Sequence, residues 1–334
     1  MALASEHKKW TATAPSNIAL IKYMGKTALS GNRPTNSSLS YTLSHLRSLV
    51  ELEATTEAAD RWEPLTRFEG ITYPEFAVSA KGMARFLAHL ARIKNHYAYQ
   101  GSFVVRSVND FPSDCGLASS ASSFAALTMA AVKAIAELSG RSVSVSEAAD
   151  LSRQGSGSSC RSFFSPWSLW SPEGVSGLPE LGYGDLIHQA VVVNDRVKAV
   201  SSSDAHIRVA SSALFHGRPE RADQRARELV AALKSRDWAA AFEMTWAEFW
   251  DMHALFETSK PSFGYMTAGS LEVLNFVRAQ TWERVGDGPL VTMDAGPNIH
   301  LLYRRDDAGL GFAREVAQAF DGKFRVISTL ARGE

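Results

Sequence analysis

Residues 101–138 constrain the fold of this chain most, because a strand, a turn-rich loop and a long apolar helix follow one another there. GSFVVRSVN (101–109) predicts a β-strand, and SSFAALTMAAVKAIAEL (122–138) predicts a helix apolar enough to be buried. The loop between them, PSDCGLASSA (112–121), lets backbone N–H groups approach an anion, and the helix adds its positive N-terminal end. The passage therefore predicts a phosphate-binding site, although the serines also fit an ordinary helix N-cap.

Two lysines flank an apolar run near the N-terminus. In NIALIKYMGK (17–26), Lys22 follows four aliphatic or small residues and Lys26 follows a glycine. A lysine in this context is expected to be partly buried, and a buried ammonium group needs an anionic partner. Alternatively, Lys22 lies at a strand edge and extends its ammonium group into water.

A Gly- and Ser-rich segment, GSGSSCRS, occupies residues 155–162. Alternating glycine and serine predict an adaptable loop that is rich in hydrogen-bond donors, and Arg161 offers a planar guanidinium group that suits a carboxylate or a phosphate. A flexible surface linker can have this composition, but two phenylalanines directly after the segment are not typical of one. The nearby aromatic side chains are expected to pack beneath the segment and not to form a partner surface: Phe163, Phe164, Trp167 and Trp170.

An acid follows an apolar strand near the C-terminus. In VTMDAGPNI (291–299), Asp294 leaves the strand and enters a turn that contains Gly296-Pro297-Asn298. Asp294 either stabilises that turn or acts in catalysis. Two anion-binding segments, buried lysines, an arginine and an acid together favour phosphoryl transfer from a nucleotide, in which the protein positions groups and neutralises charge.

The chain of 334 residues is long enough for two domains of about 150 residues each. Short β segments are predicted within residues 11–60, and later strands and helices mix without strict β-α-β alternation, which favours an α+β fold. We expect an N-terminal domain over residues 1–190 and a C-terminal domain over residues 191–334. The other predicted elements are helices at 79–95, 147–157, 220–235, 238–256, 267–280 and 308–320, and strands at 188–195, 289–294, 298–303 and 323–328.

Charge and composition exclude several classes of partner. The 35 basic and 35 acidic residues cancel, so we expect no nucleic-acid partner and no membrane partner. No run of about 18 apolar residues is present, which predicts no spanning helix, and the N-terminus has no secretion signal. The two cysteines, Cys115 and Cys160, exclude a disulfide scaffold, and the nine histidines lack metal-ligand spacing. The expected protein is cytoplasmic and has no built-in zinc site.

Six ordered segments resemble one family of enzymes. Residues 112–121 resemble the P-x3-G-L-x-S-S-A signature of the GHMP small-molecule kinases, with Ala118 where many members carry glycine. Five further segments narrow the resemblance to the mevalonate diphosphate decarboxylases: SNIALIKYMGK (16–26), PTNSSLSYTL (34–43), GSGSSCRS (155–162), AVSSSDAH (199–206) and MDAGPNIHLLY (293–303). The resemblance implies the two-domain GHMP-kinase fold. Its N-terminal, ATP-binding domain is similar to domain 2 of ribosomal protein S5, and its C-terminal domain is ferredoxin-like.

The resemblance also implies roles for individual residues. Asp294 would orient or deprotonate the tertiary 3-hydroxyl group of the substrate, and Lys22 would lie close to Asp294 and to the transferred phosphoryl group. Mg²⁺ would bind with ATP, in contact with Ser120. The small-molecule diphosphate substrate would be held by Tyr23, Lys26, Ser156, Ser158 and Arg161, with the arginine facing its carboxylate. ATP would be held by Asn109, Gly116, Leu117, Ala118, Ser119 and Ser120.

The implied reaction is the ATP-dependent decarboxylation of mevalonate 5-diphosphate to isopentenyl diphosphate, a step of isoprenoid biosynthesis by the mevalonate pathway. Three positions depart from the family pattern. Met24 replaces a tryptophan, Thr27-Ala28 replaces an Arg-Asp pair, and Ser165-Pro166 replaces a glycine pair. These positions are expected near the substrate, so a 5-monophosphate or another 3-hydroxy acid is an alternative acceptor.

Two other functions are compatible with the same fold. A mevalonate-type kinase would stop after phosphorylating the 3-hydroxyl group, but the presence of both Lys22 and Asp294 favours the decarboxylase. A non-catalytic protein would be expected to lack Asp294 or the phosphate loop, and neither is lost. By analogy with the family, we expect a homodimer.

Overall fold

The computed structural model describes residues 8–27, 31–73, 78–111, 119–196, 198–283 and 288–330. Most of the predicted phosphate loop lies outside these residues, including Gly116, Leu117 and Ala118. Within the described residues, the chain forms an N-terminal layer on a six-stranded sheet and a C-terminal layer on a four-stranded sheet. This arrangement confirms the predicted α+β fold.

Strand β2 (Ser38–Thr55) is the centre of the N-terminal sheet. It pairs antiparallel with β1 (Lys9–Ala19), β6 (Ser102–Asn109) and β7 (Trp167–Ser171). The prediction of short β segments is wrong here, because β1 and β2 run for 11 and 18 residues. Their register shifts between the pairs Pro15–Arg47 and Ser16–Leu43, where the extra residues lie in β2. The other strands of this half are β3 (Arg61–Pro64), β4 (Arg67–Phe68), β5 (Ile71–Thr72) and β8 (Gly174–Gly177).

Helix α2 (Ser119–Ser139) covers one face of this sheet, and its packing explains its apolar composition. Alanines such as Ala125 and Ala130 are fully buried, which lets the helix lie close to β1 and β2. Gly140 directly follows the helix, and its φ of 68° suits glycine in the left-handed conformation. By length and mean hydropathy α2 is apolar enough to cross a bilayer, but 67% of its most apolar stretch is buried inside the protein. In this fold α2 is a core helix.

Two more helices of this layer begin at serine N-caps. Ser79 accepts a hydrogen bond from the amide of Gly82 and precedes α1 (Ala80–His96), and Ser144 precedes α3 (Val145–Gly155) in the same way. A 3₁₀ helix (Gly157–Phe163) follows α3 almost directly. The adaptable loop predicted for residues 155–162 is therefore wrong, because most of the segment is a buried turn of 3₁₀ helix.

The C-terminal layer contains the elements β9 (Leu186–Val192), β10 (Leu290–Met293), β11 (Ile299–Arg304), β12 (Arg325–Ser328), α4 (Ser202–Arg208), α5 (Arg218–Ser235), α6 (Trp238–Glu257), α7 (Ala268–Glu283) and α8 (Asp307–Ala319). Its strand order among the described residues is β10-β11-β9-β12, with all pairs antiparallel. With its helices, it follows the β-α-β-β-α-β order of a ferredoxin-like domain. The expected domain boundary after residue 190 falls inside β9, which pairs with β11 and β12 of this layer.

One hydrophobic core joins the two layers. Ile18 and Leu39 of the first layer belong to the same buried cluster as Ile187 of the second. The Tyr41 hydroxyl donates to the carbonyl of Gly184 and accepts from the amide of Leu186, over 3.1 and 2.9 Å. Side chains that meet across this boundary are therefore held in a defined geometry.

A chain of three histidines also crosses the boundary between the layers. His188 Nδ1 lies 3.1 Å from His45 Nε2, and His188 Nε2 lies 3.0 Å from His300 Nδ1. Each contact needs one nitrogen without a proton, so at most one of the three rings can carry a positive charge. Burial, followed by the neighbouring His300, lowers the pKa of His45 to about 4, and burial lowers the pKa of His188 well below its ordinary value.

We expect the free energy of unfolding to decrease as the pH falls from about 6.5 to about 4. In this range the unfolded histidines bind protons and the buried ones do not, so protonation favours the unfolded state. The pKa shift of His45 to about 4 corresponds to about 3 kcal/mol when fully developed. Chemical denaturation across this pH range measures the effect. The variant His45→Gln, which cannot titrate there, should show a shallower dependence, and an unchanged slope would contradict the assignment.

Candidate active site

A lysine from the first layer and an aspartate from the second form an ion pair where the layers meet. Lys22 Nζ donates to Asp294 Oδ1 over 2.8 Å, although the residues are 272 positions apart. Lys22 lies beyond the end of β1, and Asp294 directly follows β10. The lysine side chain is 2% exposed and the aspartate side chain is 31% exposed. The strand-edge interpretation of Lys22 is therefore wrong, and Asp294 is the member of the pair that a ligand can reach.

The surroundings of the pair keep the carboxylate ionised. Burial alone would raise the pKa of Asp294, but the charge and hydrogen bond of Lys22, together with the charge of Arg161, lower it below its ordinary value. Burial lowers the pKa of Lys22 more than the neighbouring carboxylate raises it. The turn after β10 is closed by the main chain, because the amide of Gly296 donates to the carbonyl of Asp294 over 2.8 Å. This leaves the carboxylate to Lys22 and favours the catalytic interpretation of Asp294.

Arg161 brings a second buried cation to this site. It lies in the 3₁₀ helix and is 4% exposed. Its Nε donates to Asn17 Oδ1 over 3.1 Å, and its Cζ lies 5.6 Å from the ring centre of Trp170. Among the described residues, its Nη1 is buried without a hydrogen-bond partner. Because the Arg161 charge acts on both Lys22 and Asp294, the free nitrogen suits an anionic group of a ligand bound beside the pair.

Serine hydroxyl groups connect the start of α2 to this site. Ser120 Oγ lies 3.4 Å from Ser156 Oγ, which in turn lies 3.4 Å from Ser158 Oγ. Asn17 Nδ2 donates to the carbonyl of Ser158 over 3.2 Å. The first turn of α2, which begins with Ser119, therefore meets the Gly- and Ser-rich segment through Ser120, and a helix N-terminus with several hydroxyl groups suits phosphate.

Asn109 supports the start of α2 from the end of β6. Its Oδ1 accepts hydrogen bonds from Ser48 Oγ at 2.5 Å and from Ser123 Oγ at 3.2 Å. These contacts tie the strand to the helix that follows the phosphate loop. A contact between Asn109 and ATP stays a prediction.

Tyr23 and Lys26 meet at an asparagine that the sequence motifs did not indicate. Lys26 Nζ donates to Asn32 Oδ1 over 2.8 Å, and the Tyr23 hydroxyl donates to the Asn32 carbonyl over 3.3 Å. Burial lowers the pKa of Lys26. Gly157 is required beside them, because a Cβ atom there would lie 2.7 Å from the Tyr23 ring. The predicted substrate-binding residues thus form two neighbouring groups, one around Asn32 and one around Arg161.

His206 also belongs to this site, and its role was missed. Its ring centre lies 4.2 Å from that of Tyr23, and its Nδ1 accepts from the amide of Gly25 over 3.1 Å. Burial, followed by the charge of Lys26, lowers the pKa of His206 to about 3, so the ring is a neutral acceptor at pH 7. The only available signal was the final residue of the segment AVSSSDAH.

Two departures from the family pattern contribute no side chain to the ion pair. Met24 is 3% exposed and packs with Met252 and Phe256 in a hydrophobic cluster. Ser165-Pro166 lines a cavity of about 290 Å³ between the layers, whose lining includes neither Lys22 nor Asp294. Neither departure therefore changes the side chains that form the ion pair. The third, Thr27-Ala28, is exposed at Thr27 and lies outside the described residues at Ala28.

The residues present suit a metal that is bound mainly by phosphate. Within the ranges that the structure describes, no group of three or more His, Cys, Asp or Glu side chains is arranged to hold a metal ion. Mg²⁺ typically keeps several waters and binds through one or two protein groups plus substrate phosphates. Ser120, the predicted ligand, offers an exposed hydroxyl group in the first turn of α2.

Two family models match most of the chain. Residues 14–176 match the diphosphomevalonate decarboxylase-like N-terminal domain, and residues 189–331 match the mevalonate 5-diphosphate decarboxylase C-terminal domain. The diphosphomevalonate decarboxylase of Candida albicans is 31% identical over 308 residues, which are 88% of this chain and 83% of that protein.

Solved structures show the same similarity. The mevalonate diphosphate decarboxylase from Legionella pneumophila is 47% identical, with a TM-score of 0.87 over 96% of this chain and 100% of that one. MDDEF in complex with MVAPP, AMPPCP and magnesium is 29% identical, with a TM-score of 0.82 over 96% of this chain and 95% of that one.

Proposed function

Because the chain belongs to the diphosphomevalonate decarboxylase family, we propose that it converts mevalonate 5-diphosphate and ATP to isopentenyl diphosphate, CO₂, ADP and phosphate. The observation that carries this proposal is the pair of Lys22 and Asp294, in which a reachable carboxylate is held ionised by a buried ammonium group. The complex of MDDEF with MVAPP, AMPPCP and magnesium supports Mg²⁺ and ATP as the co-substrate pair.

In the first step, Asp294 orients the 3-hydroxyl group and accepts its proton while the oxygen attacks the γ-phosphorus of ATP and ADP leaves. Lys22 keeps the carboxylate ionised and places a positive charge beside the transferred phosphoryl group. The nucleotide is held by the residues of the phosphate loop and its flanks: Asn109, Gly116, Leu117, Ala118, Ser119 and Ser120. Ser120 would hold Mg²⁺ in part, and the ion would neutralise charge on the phosphates.

In the second step, the C3–O bond breaks and its electrons leave with the phosphate. The bond between C2 and the carboxylate then breaks, its electrons form the C2–C3 double bond, and CO₂ departs. Arg161 holds the carboxylate in position beforehand, since its buried Nη1 has no other hydrogen-bond partner among the described residues. The 5-diphosphate is held by Tyr23, Lys26, Ser156 and Ser158.

A substrate panel tests this function. Mevalonate, its 5-phosphate and its 5-diphosphate are each incubated with ATP and Mg²⁺, and ADP and CO₂ are both measured. Equal amounts of ADP and CO₂ from the 5-diphosphate are expected. ADP without CO₂ would indicate a kinase. CO₂ from the 5-phosphate alone would identify mevalonate 5-phosphate as the substrate in place of the 5-diphosphate.

The variant Arg161→Met is expected to raise KM for mevalonate diphosphate by about 10- to 100-fold, because it removes a charge-assisted hydrogen bond to the carboxylate. KM for ATP should stay within about threefold, since the phosphate loop is unchanged. Steady-state kinetics with each substrate varied in turn measure both values. Arg161→Lys, which keeps the charge and loses the planar fork, should be intermediate. An unchanged KM for mevalonate diphosphate in both variants would remove Arg161 from the substrate site.

We also propose a homodimer in the cytoplasm. Analogy with the family supports the dimer, and the balanced charge and low cysteine content support the location. Light scattering of the purified protein and fractionation of cells test the two points separately.

A further inference from the structure

The main chain at Lys22 is held by side chains and not by the sheet. Strand β1 ends at Ala19, so the peptide groups of Lys22 lie beyond that strand. The Lys22 amide donates to Glu248 Oε1 over 2.9 Å. The Lys22 carbonyl accepts from Asn36 Nδ2 at 2.9 Å and from Arg218 Nη2 at 3.4 Å. Two of these three partners belong to helices of the C-terminal layer.

Those two partners form a fully buried ion pair. Arg218 at the start of α5 and Glu248 in α6 are both 0% exposed, and they meet through two hydrogen bonds of 2.5 and 2.9 Å. Although burial alone would lower the pKa of Arg218, Glu248 and Asp251 raise it. Arg221 and Arg225 complete the cluster through Asp251, with contacts of 2.9 and 2.6 Å.

Stability alone is a weak explanation for this pair. Burying two charges removes them from water, and replacing a buried ion pair by apolar side chains of similar volume is often neutral or stabilising. The pair does, however, fix both the amide and the carbonyl of one residue, and that residue is the lysine that contacts Asp294.

We propose that Arg218 and Glu248 are positioning residues, which fix the main chain at Lys22 so that its ammonium group meets Asp294. The contacts of Arg218 and Glu248 with Lys22 reach from the C-terminal layer to the N-terminal layer. They therefore form only when the two layers are docked. A displacement of about 1 Å at a reacting group can lower the rate about 100-fold. This inference rests on the role proposed above for Lys22.

Two double variants isolate the contact with Lys22. Arg218→Met with Glu248→Leu removes both charges together and leaves no acceptor for the Lys22 amide. Arg218→Met with Glu248→Gln removes the same charges but keeps a side-chain oxygen for that amide. We expect the leucine variant to lose kcat by about 10- to 100-fold, with KM for both substrates within about threefold. The glutamine variant should recover a large part of that loss.

The matched control is Arg221→Gln, which breaks an ion pair of the same cluster without touching Lys22. It should keep the wild-type kcat. If the leucine variant does not fold, Arg218→Lys replaces it: this change keeps a charge opposite Glu248 but shortens the reach to the Lys22 carbonyl, and the same loss of kcat is expected.

The outcomes separate this inference from the proposed function. A wild-type kcat in the folded leucine variant, or in Arg218→Lys if that variant is used, would overturn the positioning role. An equal loss of kcat in the leucine and glutamine variants would also overturn it, since the loss would then not depend on the acceptor. If Lys22→Met is inactive while these variants have the wild-type kcat, the positioning role of Arg218 and Glu248 is contradicted and the proposed role of Lys22 stands. If Lys22→Met is fully active, the proposed role of Lys22 fails first.

Discussion

With asparagine in place of Asp294, the protein is expected to bind mevalonate diphosphate and ATP almost normally and to release CO₂ about 10³-fold more slowly. Asparagine has nearly the same shape but cannot accept the proton of the 3-hydroxyl group, and it no longer balances the charge of Lys22. Calorimetry measures substrate binding, and coupled assays of ADP and CO₂ measure turnover. Both products should decrease together, because phosphorylation precedes loss of CO₂.

The control for this experiment is Asp307→Asn. Asp307 is an exposed aspartate in the first turn of α8 and has no place in the proposed mechanism. This variant should keep the wild-type kcat. Wild-type product formation by Asp294→Asn would contradict the catalytic role of Asp294. Loss of ADP and CO₂ in both variants would instead indicate a general effect on the fold.

The variant Lys22→Met should lower kcat by about 10²- to 10³-fold, which is the usual effect of removing one preorganised group that stabilises developing charge. It should also change the pH dependence of the remaining activity. Because the Lys22 charge lowers the pKa of Asp294, its removal raises that pKa. The residual activity, which needs the ionised carboxylate, should therefore be lost at a higher pH than in the wild type as the solution is acidified.

Lys94→Met is the matched control for Lys22→Met. Lys94 Nζ lies 2.8 Å from Asp60 Oδ2 in a mostly buried pair of the N-terminal layer. Its removal should affect stability but neither kcat nor the acid limb of the kcat profile. If Lys22→Met keeps the wild-type acid limb, the electrostatic link between Lys22 and Asp294 is contradicted even when kcat falls.

The positions of the helices and strands were largely predictable, because hydrophobic period and end signals are local. The predicted helices at 220–235 and 238–256 correspond to α5 (Arg218–Ser235) and α6 (Trp238–Glu257). The Gly- and Ser-rich segment was wrongly predicted to be a loop. Composition alone cannot distinguish a solvated loop from a 3₁₀ turn that the rest of the protein buries.

The site was predictable only as separate pieces. Lys22, Arg161 and Asp294 were each identified in their own motif, and the resemblance assigned them to one reaction. Glu248 and Arg218 gave no signal, because a glutamate and an arginine on amphipathic helices look like ordinary surface charges. Their contacts with Lys22 join positions 226 and 196 residues apart.

The α+β order of the elements, the family and the residue types of the site follow from the sequence. Which polar side chains meet depends on how the layers pack: Lys22 with Asp294, Arg218 with Glu248, and His188 with His45 and His300. These contacts could not be predicted, because the signals in a sequence have a short range. Periodicity and capping act over a few residues of the chain, whereas a charge buried at the boundary of two layers acquires its partner only when those layers pack together.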